Sequence, residues 1–151
     1  MAASDPLVWR YMTTEPSASL EETGLRLDQL SALERRYGFT LWAVVEKESG
    51  TVIGDCGLMP LERIGPEVEL GYRLARPWWG KGYATEAALA VRDLGFERFG
   101  LERIYVDIQP GNEGSLNVAR KIGARLLGPA THRGAEVLRF VLEPPDGVHQ
   151  S

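Results

Sequence analysis

The chain has 151 residues, 44% hydrophobic and 25% charged, with a formal net charge of −4. That is enough apolar material for one compact domain with its own core, and an acidic balance without a basic block among aromatics excludes a nucleic-acid partner. No apolar run approaches the ~18 residues of a membrane span and no basic-then-apolar leader opens the chain, so no membrane is expected and the expected location is cytoplasmic. Cys56 is the sole cysteine, which rules out an intramolecular disulfide and fits a reducing compartment. His132 and His149 show no zinc- or iron-type spacing, so no metal is expected.

In chain order, residues 1–16 read as irregular. Ser19 and Glu22 form a capping-box pattern. Leu20, Leu27, Leu30, Leu33 and Tyr37 then recur at helical spacing up to a stop at Gly38. Residues 39–45 and 51–59 read as a hairpin around a turn at 46–50. From 67 to 74, Val68, Leu70, Tyr72 and Leu74 share one strand face. Glu67, Glu69, Gly71 and Arg73 share the other, which predicts a half-buried strand with charge on one side. A glycine loop leads into a helix near 85–99, with Ala84, Ala87, Ala88, Val91 and Leu94 on its apolar face. Residues 101–109 read as a strand, 115–122 as a short helix ending at Gly123, and 136–143 as the last strand. His132 falls in the loop before that strand, beside Arg133 and Gly134, where solvent exposure is expected. One domain over residues 1–143 and a flexible tail at 144–151 follow. The strand–helix–strand unit predicts a parallel pair inside a mixed α/β sheet.

The loop Trp79-Gly80-Lys81-Gly82-Tyr83-Ala84-Thr85-Glu86 carries the chemistry. A glycine loop between strand and helix exposes backbone N–H groups at the positive end of the helix dipole, which favours a phosphate-bearing ligand. A Walker loop fails, because Gly80-Lys81 is followed by Gly82 and position 75 is Ala75. A dinucleotide fingerprint has Gly80 and Gly82 but Thr85 at its third glycine. Arg76-Pro77-Trp78-Trp79 also separates the loop from its strand, so this is the weaker alternative, with Glu102 as its ribose acid.

The stretch from Glu69 to Gly123 resembles the GNAT superfamily of acyl-CoA-dependent N-acyltransferases, and within it the RimJ/RimL-like branch. The resemblance rests on Glu69-Leu70-Gly71-Tyr72, the glycine loop, Asn112-Glu113-Gly114-Ser115 and Lys121-Ile122-Gly123-Ala124. Trp42-Ala43-Val44 and Ile53-Gly54-Asp55-Cys56-Gly57-Leu58 extend it over roughly residues 42–140. It implies a central, mostly antiparallel sheet with a splayed parallel pair and flanking helices. Relatives begin with a further strand that nothing before Leu7 supplies. Either the start is truncated or another chain covers an open edge, and a homodimer is the expectation.

The resemblance further implies acetyl-CoA as co-substrate and an amine as acceptor. Backbone groups of Trp79, Gly80, Lys81, Gly82, Tyr83, Ala84 and Thr85 would hold the diphosphate, and those of Tyr72 and Leu74 the pantetheine arm. Lys81 and Lys121 either add charge near the phosphates or are ordinary solvated lysines. Glu69 is the candidate general base, against an ordinary surface glutamate. Glu136 is the second candidate, lining the amine pocket. Ser115 either protonates the departing thiolate or caps its helix, and Asn112 either contacts the arm or is a turn residue. The leading function is an acetyl-CoA-dependent N-acetyltransferase acting by direct attack in a ternary complex. The alternatives are a non-catalytic CoA-binding or regulatory module and a nucleotide-binding domain.

Overall fold

The computed structural model describes residues 20–145, with side chains from residue 28 onward. The Ser19 capping box, the first segment, the last six residues and His149 therefore lie outside the described residues. Helix α1 is Leu20–Tyr37, closed as expected by Gly38, whose N–H donates to the Glu34 carbonyl at 2.8 Å. Strands β1 (Leu41–Val45) and β2 (Val52–Pro60) form the expected hairpin. A 3₁₀ turn at Leu61–Arg63 leads to β3 (Val68–Leu74), which pairs antiparallel with β2 from Gly54↔Leu74 to Pro60↔Val68. A second 3₁₀ turn, Arg76–Trp78, precedes α2 (Tyr83–Glu97), and β4 is Ile104–Ile108. Helix α3 is Glu113–Lys121, followed by β5 (Arg125–His132) and β6 (Ala135–Leu142).

The six strands form one sheet in the order β1-β2-β3-β4-β6-β5. Only β3 and β4 run parallel, with α2 as the crossover between them, and every other neighbouring pair is antiparallel. The parallel pair is joined at Glu69↔Tyr105 and carries no further registered pair, although β3 runs on to Leu74 and β4 to Ile108. The expected splayed pair is thus present. Apolar residues of α2 and α3 pack against one face of the sheet. Leu58, Leu70, Ala88, Phe96, Ile104, Val106, Ala119, Ile122, Phe140 and Leu142 form that core. Full burial of Leu58, Ile104, Ile122 and Leu142 contributes roughly 1.5–3 kcal/mol each.

Three expectations need correction. Strand β5 is additional: it forms a hairpin with β6 where the sequence reads as loop. Helix α3 starts two residues early because Asn112, not Ser115, is the cap; the Asn112 Oδ1 accepts from the Ser115 N–H at 3.2 Å. The charged face of β3 is not a solvated one. Arg73 is only 8% exposed, and its Nε donates to Asp55 Oδ2 at 2.8 Å.

Candidate active site

Strand alternation puts Glu69 and Tyr72 on opposite faces of β3. On the helix-covered face, the Tyr72 hydroxyl donates to the Ser115 carbonyl at 2.7 Å, which ties β3 to the first turn of α3. Burial pushes the Tyr72 phenol well above its ordinary pKa, so it stays a donor. Asn112 and Ser115 are therefore brought to the side of β3 that leads into the gap with β4.

The glycine loop closes that side. Gly80 and Gly82 have φ of 77° and 84°, the left-handed region glycine adopts at no steric cost, and a Cβ at either would meet nothing within 4 Å. Gly82 is the N-cap of α2. The first helical bond of the loop runs from the Glu86 N–H to the Gly82 carbonyl at 3.0 Å, and no side chain caps the earlier amides. The N–H groups at the start of α2, from Tyr83 through Ala84 to Thr85, are thus left for a ligand at the helix's positive end. Trp79 donates its indole N–H to the Leu74 carbonyl at 2.7 Å, which occupies that carbonyl at the end of β3. Lys81 Nζ lies 5.2 Å from the Trp78 ring centroid, and the Tyr83 hydroxyl donates to Glu46. Lys121 is exposed in the last turn of α3.

On the opposite face Glu69 joins a charged cluster contributed by four strands. Its Oε2 lies 3.5 Å from His132 Nδ1, at the end of β5. The same nitrogen donates to Asp107 Oδ2 on β4 at 2.8 Å. Asp107 in turn accepts two bonds from Arg139 on β6, at 2.8 and 2.9 Å. His132 is 6% exposed, which corrects its expected place in a solvated loop. A hairpin turn at Arg133, with φ 49°, folds it inward, and the Arg133 N–H donates to Glu62 Oε1 at 2.8 Å. Carboxylate and imidazole atoms of Glu69, Asp107 and His132 lie within 4.8 Å of one another. The Arg139 guanidinium already holds both oxygens of Asp107 and supplies the positive charge there.

The cluster is electrostatically tuned. Burial pushes the Glu69 carboxyl up to about 7, with His132 opposing that push. The bond to Asp107 raises the His132 pKa against the effect of burial. Burial also works to raise Asp107, but its bonds to Arg139 and His132 outweigh it and hold that carboxyl below its ordinary value. A carboxylate that changes charge near neutrality is matched to proton transfer. Glu136 is not part of this cluster. It is exposed, and strand alternation puts it on the face of β6 away from Arg139. Met59 pairs with Glu69 across β2 and β3, so their side chains share a face. Met59 also lines a groove of about 350 Å³ with Leu30, Leu33 and Tyr37 of α1, which brings the groove to the Glu69 side of the sheet. Buried Cys56, its thiol pushed up to about 12 by burial, is unsuited to nucleophilic attack.

Residues 1–125 match the family model of the Acetyltransferase (GNAT) domain. The chain is 43% identical over 91 residues to the uncharacterized protein YkkB of Bacillus subtilis, covering 60% of this chain and 53% of that one. It is 30% identical over 119 residues to the uncharacterized N-acetyltransferase p20 of Bacillus licheniformis, covering 79% and 67%. It thus spans about half the length of the first relative and two thirds of the second. Among solved structures, an acetyltransferase from Agrobacterium tumefaciens superposes with a TM-score of 0.78 at 29% identity, over 94% of this chain and 81% of that one. No helix among the described residues is long and apolar enough to cross a membrane.

Proposed function

This chain belongs to the acetyltransferase (GNAT) family, and from that premise we propose that it is a RimJ/RimL-like, acetyl-CoA-dependent N-acetyltransferase acting on a primary amine. The observation that carries the reading is the pair of left-handed glycines, Gly80 and Gly82, opening the uncapped start of α2 beside the parted β3 and β4. Side chains at those positions would fill the space a diphosphate needs. The fit extends to Asn112 and Ser115, which stand beside Tyr72 on the same side of the gap. When bound, acetyl-CoA supplies an acyl group activated as a thioester.

The chain's own residues divide the work between two faces. Amides of Gly80 to Thr85 hold the diphosphate, and the edge of β3 that faces the gap, short of the Leu74 carbonyl that Trp79 already occupies, binds the pantetheine arm as an added strand. The acceptor comes from the other face, where Glu69 removes a proton from its ammonium group and frees the nitrogen lone pair. The neutral nitrogen attacks the carbonyl carbon, the carbon–sulfur bond breaks, and the second proton that the nitrogen sheds on becoming an amide passes to the departing thiolate by way of the Ser115 hydroxyl. Direct transfer is supported by Cys56, which is buried and offers no thiolate to carry the acyl group. A panel of amines (an amino acid, a polyamine, an N-terminal peptide and an aminoglycoside), assayed for thiol release from acetyl-CoA, tests the reading. Turnover with one of them is expected. Tight CoA binding without turnover would make this a non-catalytic module, and no CoA binding at all would overturn the proposal.

A further inference from the structure

The proposed reaction, on which this inference rests, needs Glu69 ionised when the acceptor arrives. Its surroundings include six charged groups from five segments: Glu62 and Arg63 before β3, Asp107 on β4, His132 on β5, Arg133 in the following turn and Arg139 on β6. Burial, Asp107 and Glu62 work against the carboxylate form, while His132 and Arg139 favour it. His132 is in place to act most directly, with Nδ1 3.5 Å from Glu69 Oε2. Two carboxylates face that nitrogen, so it keeps its hydrogen and the ring becomes cationic by protonation at Nε2. Among the described residues Nε2 bonds no group. The ring cannot turn away, because Asp107 holds it at 2.8 Å and Arg139 clamps Asp107 with two bonds.

We propose that His132 is a positioning residue for Glu69: fixed by the Asp107–Arg139 pair, its imidazolium supplies the positive charge against which the Glu69 carboxylate ionises. The base on β3 thus depends on a residue three strands away in the sheet. His132 donates nothing to the substrate, so its loss changes the pH at which the base works rather than the rate once it is ionised.

The test compares the wild type with His132→Gln, which removes the charge, and His132→Lys, which keeps a charge at that position. Two readouts are taken: the acidic limb of kcat/KM against pH, and the Glu69 carboxyl midpoint by carbon-13 NMR without substrate. His132→Gln is expected to move both upward by about one pH unit, with the alkaline plateau retained. His132→Lys is expected to leave both at or below the wild-type pH. Non-specific damage would move the two variants the same way, and that result, or an unmoved midpoint in His132→Gln, overturns the proposal. A plateau lowered by more than about 100-fold with an unmoved midpoint would make His132 itself the base and also overturn it. If the wild type neither binds nor turns over acetyl-CoA, the acetyltransferase reading fails, while the NMR midpoints still decide whether His132 controls Glu69.

Discussion

Replacing Gly82 with glutamate is expected to abolish measurable CoA binding. The backbone there has φ 84°, and an L-residue in the left-handed region costs roughly 1–2 kcal/mol. A Cβ at this position meets nothing within 4 Å, so no clash adds to that cost. Gly82→Ala should therefore lower Tm by about 2–8 °C through backbone strain alone. Glutamate adds a carboxylate to the space assigned to the diphosphate. Like unit charges 4 Å apart repel by about 1 kcal/mol in bulk water and about 4 kcal/mol at an effective dielectric of 20. Repulsion alone thus weakens CoA by roughly 5- to 1000-fold, and the side chain's bulk adds to it. Calorimetric titration of CoA into both variants measures the effect. Gly100→Glu at the other end of α2 is the control, because Gly100 also has a positive φ of 63° and open space around its Cβ. Unchanged CoA affinity in Gly82→Glu, or an equal loss in Gly100→Glu, would refute the placement of the diphosphate.

Ser115→Ala is expected to lower kcat while leaving CoA affinity intact, because the Asn112 cap and the Tyr72 bond use the Ser115 backbone and not its hydroxyl; turnover at the wild-type level would leave the serine without a chemical role. Glu69→Gln is expected to remove activity yet stabilise the fold at alkaline pH. The carboxyl moves from 4.5 to about 7 on folding, so its unfavourable ionisation costs nothing below about pH 4.5 and accumulates as pH rises through about 7. The full cost is at most about 3 kcal/mol. Denaturant midpoints at pH 4 and pH 8 check this, and a variant that gains no stability between those values would refute it. Glu136→Ala is expected to leave the amine KM unchanged, given the exposed position of Glu136 away from Arg139; a raised KM would return it to the acceptor site.

Local signals were sufficient for the backbone of the glycine loop and for helix α2. Gly80, Gly82 and the periodic apolar residues of α2 act through nearby backbone geometry, so their pattern is visible in a short window. The charged cluster around Glu69 is different. Glu69, Asp107, His132 and Arg139 are brought together by strand pairing between distant segments, such as Asp107↔Arg139 and Glu69↔Tyr105. Nothing local marks them as neighbours. Strand β5 is hard to see in the sequence because Gly128 and Pro129 interrupt its pattern, whereas the register shift between Leu126 and Gly128 accommodates them at the sheet edge. His132 then looked like part of a polar turn. A usable hint was Asp107 itself, an acid inside the apolar run Ile104-Tyr105-Val106-Asp107-Ile108, which requires a partner when buried.

Glu69↔Tyr105 is the one rung stitching the β1-β2-β3 half of the sheet to the β4-β6-β5 half. A ligand laid along the open seam beyond it finds main-chain groups, which are the same whatever residues the strands carry. On the proposed placement of the acyl donor, its grip would be insulated from drift in side chains on the Glu69 face. With the acceptor on that face as proposed, one amine could be exchanged for another by altering that face alone, while the shared half of the reaction stays as it was.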